Sequence, residues 1–444
     1  MDKDMVDERR DKETSREFEG KKLLILGGNP ETTPLVEIAN SMGIHTIVSS
    51  ARPTDSAKKV AWKAYDVDGM DVPGLVALAK EEQIDGILVG VADILVPAYC
   101  KVCQALDLPC YATQQIVDVF AFKDVFKATC ERYGVHGIPE FYLDADMKRE
   151  DLDKIVYPVM VKPVDNGGGV GMTVAYNEEE LKKGVEIALA NSKKKRFIVE
   201  KYMQCDDMGM YYTFKDGYCS ASCIYDRYTT DEQPGLSRVC LGGTYPSKHL
   251  NEYFERMHPN ALRLFREIGI KNGVLMLSGF YENGEFYVYD TGFRLQGEAP
   301  HLLMKAIHGF DQREMLIRFA LTGSEGDVDL RTEDDTRLRG KWAATLWFLL
   351  KQGRIAKIIG LDEIDKDSRV VVANIQRLHE GDEVLPEWIG NEKQVLTRMY
   401  LVCNSKMELA DMLEYYMNTV KVLDEEGNNL LLKGFDVNKA LGLI

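Results

Sequence analysis

Four short segments in the middle of the chain carry residues suited to handling a polyphosphate. Tyr157-Pro158-Val159-Met160-Val161-Lys162-Pro163 ends an apolar run on a lysine, and Asn166-Gly167-Gly168-Gly169-Val170-Gly171 follows at once. A glycine-rich turn exposes backbone N–H donors without side-chain obstruction, and a neighbouring ammonium supplies countercharge to phosphate. No G-K-[ST] follows the glycines, so this is not a P-loop, and alone the run also suits a hairpin tip. Upstream, Phe122-Lys123-Asp124 stands at the start of a helical stretch.

The third segment, Phe197-Ile198-Val199-Glu200-Lys201-Tyr202-Met203, reads as a strand that ends in an acidic residue. Such an edge offers a backbone carbonyl and N–H to the rim of a purine, and Glu200 can accept from an exocyclic amine. Asp206 and Asp207, just downstream, suit ribose hydroxyls. The fourth segment runs Phe286-Tyr287-Val288-Tyr289-Asp290-Thr291-Gly292-Phe293-Arg294, a carboxylate at a strand end with an arginine four residues on. Magnesium takes hard oxygen ligands and shares them with phosphates, while arginine suits an oxyanion that develops charge. Apolar neighbours on both sides of Asp290 argue against a simple surface ion pair.

The elements that must position these residues are legible from periodicity. Lys22 to Asn29 reads as a buried strand running into a glycine turn, followed by a helical pattern over 35–42 and a strand at His45–Ser49. An amphipathic stretch at Val72–Glu82 and a buried strand over 85–91 continue the alternation, which predicts a parallel sheet with right-handed crossovers. A dinucleotide fingerprint is absent, since only Gly27-Gly28 follows the first strand. Residues 116–134 read as helical, as do Glu178–Asn191 and 406–420. An acidic link spans 325–335, and strands at 343–349 and 369–374 follow it. At 444 residues the chain exceeds the roughly 250–300 at which single cores stop growing, so several domains are expected.

Composition narrows the function. With 55 basic and 71 acidic residues the net charge is −16, which disfavours a nucleic-acid binder held by a basic face. No apolar run approaches the ~20 residues of a membrane-spanning helix, and the charged N-terminus lacks a signal-peptide core, so a cytoplasmic protein is expected. Nine cysteines fit reduced thiols better than a disulfide framework. Cys100 and Cys103 form a C-x-x-C pair without a second pair at zinc-ligand spacing, and core packing in a helix is the better reading. The seven histidines show no metal spacing; His301 is the nearest to the Asp290 segment and is read as structural.

In order and spacing these segments resemble the ATP-grasp superfamily, the carboxylate–amine ligases that include biotin carboxylase and the carbamoyl-phosphate synthetase large subunit. The resemblance covers about residues 21–444. It implies an α/β chain: a polar tail over 1–20, a Rossmann-like domain over 21–115, a two-lobed grasp of α+β character over 116–323, and a small β-rich C-terminal domain over 324–444. It further implies that Lys123 and Lys162 bind phosphates, the latter beneath a glycine loop of Gly167, Gly168, Gly169 and Gly171. Glu200, Lys201 and Met203 match the hinge that reads adenine, largely through main-chain atoms, and Asp207 matches the ribose-binding acid. Asp290 matches the metal-binding glutamate, one methylene shorter, and Arg294 the arginine that steadies the reacting phosphoryl group.

Two departures follow from the same resemblance. The second metal ligand of the family falls on Ser278, and the asparagine two residues after the metal glutamate falls on Gly292. The implied activity is an ATP- and Mg2+-dependent ligase that joins a small-molecule carboxylate, activated as an acyl phosphate, to an amine. No nucleic-acid or membrane partner is expected, and a homodimer is left open. Arg227, Arg238 and Lys248 fall where the family builds its acceptor pocket, and read equally well as surface cations. The alternative reading is an ATP-binding protein with a degenerate metal site and no ligase activity. A dinucleotide-dependent oxidoreductase is disfavoured by the missing fingerprint.

Overall fold

The computed structural model describes residues 17–443 except 122, 165–169, 234–235, 237, 366 and 368–370, and of residues 123, 124 and 365 the backbone alone. The N-terminal part is a four-stranded parallel sheet in the order Lys63–Tyr65, His45–Ser49, Lys22–Leu26, Gly86–Val89. Leu23, Leu24, Ile25 and Leu26 are wholly buried, as the continuous apolar run requires of a strand covered on both faces. The helix Val72–Glu82 matches its sequence reading. It starts at Asp71, whose carboxylate accepts the Gly74 N–H, and ends at Gln83 in the left-handed conformation. Cys100 and Cys103 are buried in the helix Val96–Leu106, which is the packing role read from sequence.

Residues 116–134 form two helices, Gln114–Phe120 and Lys123–Arg132, rather than one. Six positions along an unbroken helix would set Phe120 and Phe126 about 120° apart around its axis. The break lets both rings meet, 5.9 Å between centroids, and pack on the same core.

A four-stranded antiparallel sheet follows, ordered Glu140–Phe141, Phe197–Lys201, Val159–Pro163, Thr173–Ala175. Its buried face, Val159, Val161 and Val199, packs on Leu181, Val185 and Ala188 of the helix Glu178–Asn191. The largest sheet has eight strands: Glu285–Gly292, Gly273–Glu282, Asp206–Lys215, Tyr218–Thr229, Cys240–Tyr245, Trp342–Leu349, Val395–Cys403 and Val371–Gln376. Trp342–Leu349 pairs with Cys240–Tyr245, so backbone hydrogen bonding runs unbroken from the middle of the chain into its last third. The acidic stretch 325–335 is packed rather than a loose link. It holds the helix Leu330–Glu333, and the Lys215 ammonium donates to the carbonyls of Gly326 and Val328 at 2.5 and 2.6 Å. Among the described residues no helix is long and apolar enough to cross a membrane.

Candidate nucleotide site

A cavity of about 980 Å3 is lined by strands of the two antiparallel sheets and by turns and helices of the N-terminal part. Lys162 and Glu200 come from paired antiparallel strands. In their register Lys162 faces Ile198 and Met160 faces Glu200, so the two side chains are diagonal neighbours on one face. Both are buried, at 9% and 5% exposure, and their charged ends form an ion pair. Burial of either charge alone would be costly; the pair offsets that cost and leaves a lysine at the cavity wall. A second lysine, Lys127, lies 3.4 Å from the other Glu200 oxygen. It also pairs with Glu140 and donates to the Ile138 carbonyl at 2.6 Å. Sequence reasoning passed over Lys127, although it lies four residues after Lys123 and thus on the same helical face.

Asp290 lines the opposite wall, with Thr291, Gly292 and Phe293. Its cross-strand partner is Ser278, whose hydroxyl donates to the Met276 sulfur at 3.5 Å and does not line the cavity. Arg294 is 7% exposed. One of its nitrogens donates to the Leu295 carbonyl at 2.9 Å, and the other is ion-paired with Asp93. Asp93 was not anticipated. It leaves the carboxyl end of the strand Gly86–Val89 and lines the cavity, and that edge of a parallel sheet is where ligands of open α/β sheets gather. Burial pushes its carboxyl above the usual range, with the Arg294 charge opposing and Asp290 adding to the rise.

Gly292 decides how close Asp93 comes. A Cβ at Gly292 would stand 2.6 Å from the Asp93 Oδ1 and 3.1 Å from the Arg294 Cζ, so the space of the missing side chain is taken by the ion pair of these two residues. Asp290 and position 292 are two apart on a strand and share a face. The cavity is thus lined by both Asp290 and Asp93, whose carboxylates are hard oxygen donors of the type magnesium takes. The residues present fit that ion.

Several expected site residues lie elsewhere. Asp207 does not line the cavity; its carboxylate faces Arg227 at 3.3 Å and the Tyr289 hydroxyl at 3.3 Å. Burial raises its carboxyl, with Arg227 opposing. Lys201 donates its ammonium to Glu282 and its N–H to the Pro139 carbonyl, and Met203 is buried off the cavity wall. The side chain of Lys123, and Gly167, Gly168 and Gly169, lie outside the described residues. Gly171 has φ 78°, and a Cβ there would meet the Asn191 Cβ at 2.6 Å, so only glycine suits the position. Of the acceptor-pocket cations, Arg227 is locked between Asp207 and Glu298 (2.6 Å), and Lys248 pairs with Asp206 at 3.0 Å. Arg238 donates to the Thr230 carbonyl at 3.3 Å. His301 is buried, which lowers its ring to about 3 and keeps it neutral.

Residues 123–325 match the sequence model of the family described as "Carbamoyl-phosphate synthase L chain, ATP binding domain". The matched residues make up just under half of the chain and carry the similarity to an ATP-grasp domain. It is 27% identical over 271 residues to a formate-dependent phosphoribosylglycinamide formyltransferase of Sulfurisphaera tokodaii, covering 57% of this chain and 65% of that one. It is 24% identical over 189 residues to the protein of the same name from Methanocaldococcus jannaschii, covering 42% and 48%. The chain thus spans about half to just under two thirds of these curated relatives. Among solved structures, an L-amino acid ligase from Bacillus licheniformis superposes with a TM-score of 0.75 at 17% identity, covering 92% of this chain and 99% of that one. A phosphoribosylglycinamide synthetase from Anaerococcus prevotii gives 0.72 at 17%, covering 92% and 100%. The ATP-grasp fold therefore extends over nearly the whole chain, with the α/β character read from sequence.

Proposed function

We propose that this protein is an ATP-dependent ligase that joins a small-molecule carboxylate to an amine through an acyl phosphate. The observation that carries the reading is one cavity, within an ATP-grasp fold, lined by Lys162, Lys127, Glu200 and Asp290. The triphosphate lies along Lys162 and Lys127, two lysines that line the cavity. Any reading of adenine at Glu200, Lys201 and Met203 falls to main-chain groups other than the Lys201 N–H, since both Glu200 oxygens are engaged by lysines and that N–H by the Pro139 carbonyl. Asp207 would meet the ribose only after leaving Arg227. The carboxylate substrate attacks the terminal phosphorus, and ADP departs with the electron pair of the broken bond. The amine then attacks the acyl carbon and phosphate leaves. Arg294 is buried just behind the cavity wall that carries Gly292 and Phe293, and is proposed to steady the charge that develops on the transferred phosphoryl group. Magnesium, where bound by Asp290, neutralises phosphate charge.

The wall contributed by Met70, Val72, Ile94 and Val96 supports a substrate with an apolar body. We place the protein in the cytoplasm. A homodimer is included in the proposal because a 2-oxoglutarate carboxylase biotin carboxylase domain from Hydrogenobacter thermophilus, which shares the fold, is described as a dimer. The test is phosphate release from ATP and Mg2+ with a pool of amino acids and other small carboxylates and amines, deconvoluted singly. Acceptor-dependent release of phosphate supports the ligase. ATP binding without consumption in any pool would leave a nucleotide-binding protein, the reading that Ser278 and Gly292 favour.

A further inference from the structure

We propose that Asp93 supplies, from the turn after the last strand of the N-terminal sheet, a magnesium-facing oxygen that Gly292 cannot provide. The inference rests on the ATP-ligase reading, and it answers why an ATP-grasp chain carries glycine there.

Three observations converge on Asp93. Its Oδ1 lies 2.6 Å from where a Cβ of residue 292 would stand, so it fills the space of a side chain projecting from the strand Glu285–Gly292 beside Asp290. Its Oδ2 takes the Arg294 guanidinium, which fixes the carboxylate plane and leaves Oδ1 with no partner from that arginine. The Asp93 side chain remains half exposed, and it lines the same cavity as Asp290, so the oxygen is open to a ligand. Two carboxylates against one guanidinium leave an excess negative charge at this wall, as a divalent cation with a nucleotide would require. Ser278 adds only a neutral hydroxyl turned toward Met276. A side chain at 292 and the carboxylate of Asp93 compete for the same space, so either one must shift for the other to be there. Asp93 and Asp290 would then hold the ion together, and it would neutralise the charge of both carboxylates and of the phosphates.

The test uses the full chain with Mn2+ as the spin probe and a non-hydrolysable ATP analogue. Asp93→Ala is expected to weaken Mn2+ in the ternary complex by at least about tenfold. Affinity for the analogue in EDTA is measured for both proteins as the metal-free reference, so that only the Mn2+-dependent part of the loss is counted. The exchange variant Asp93→Ala/Gly292→Asn is expected to recover most of the Mn2+ affinity, because the amide oxygen returns to the strand; Gly292→Asn alone collides with Asp93 and is expected to lose it. Asp93→Cys is expected to shift preference from Mg2+ toward Cd2+, since a thiolate is a soft ligand. Unchanged Mn2+ affinity in Asp93→Ala overturns the inference. So does a loss that neither the exchange nor Cd2+ reverses, which would make Asp93 only an orienting partner of Arg294. If the parent itself binds no Mn2+ with the analogue, the ligase reading falls first.

Discussion

Replacing Lys162 with alanine separates its two tasks. The Lys162 ammonium is buried against Glu200, and in the proposed complex it also meets phosphate. A hydrogen bond to a charged group contributes about 1.5–3 kcal/mol. At about 1.4 kcal/mol per tenfold, Lys162→Ala should weaken ATP binding roughly 10- to 150-fold. The fold should suffer as well. Breaking a buried pair costs about 3–5 kcal/mol when the remaining charge is left alone. Glu200 keeps Lys127 at 3.4 Å, so a smaller destabilisation of about 1–3 kcal/mol is expected. The double variant Lys162→Met/Glu200→Gln removes the pair without an orphan charge, and should regain most of the stability while ATP binding stays weak. Calorimetric titration with ATP and thermal unfolding of the three proteins measure both effects. Lys162→Ala binding ATP within about threefold of the parent would refute the phosphate contact. A double variant no more stable than the single one would refute the account of the buried pair.

Asp290→Asn should abolish phosphate release while ATP affinity stays within about tenfold, because lysines and backbone donors still hold the triphosphate; turnover and calorimetry together check this. GTP should stabilise the fold less than ATP in a thermal-shift titration, since guanine presents a carbonyl and a protonated ring nitrogen where adenine presents an amine and an acceptor. Glu325 gives a pH prediction. Burial pushes its carboxyl from 4.5 up to about 7. Between these values the native state holds the proton that the unfolded chain releases, so stability falls as pH rises through about 4.5 to 7. Glu325→Gln should flatten that part of the profile and raise Tm at pH 8, as thermal melts across pH will register.

Local pattern in the sequence determined the elements. The apolar run Leu23 to Leu26 is a doubly covered strand, Val72–Glu82 and Glu178–Asn191 are helices within their read bounds, and Lys162, Glu200 and Asp290 end strands at the cavity. These outcomes depend on side-chain periodicity and on cap and turn residues, which act over a few positions. What tertiary structure decided are contacts between residues far apart in the chain. Lys127 reaches Glu200 across 73 positions and Asp93 reaches Arg294 across 201, and nothing in either local sequence announces the other. Asp207 shows the same limit. Its spacing after Glu200 suited a ribose, yet strand pairing set it opposite Arg227, and a buried carboxylate takes the nearest cation. Gly292 carried half of its meaning in sequence, as a missing side chain. The other half, the carboxylate that fills the gap, exists only once the N-terminal sheet and the strand Glu285–Gly292 are brought together.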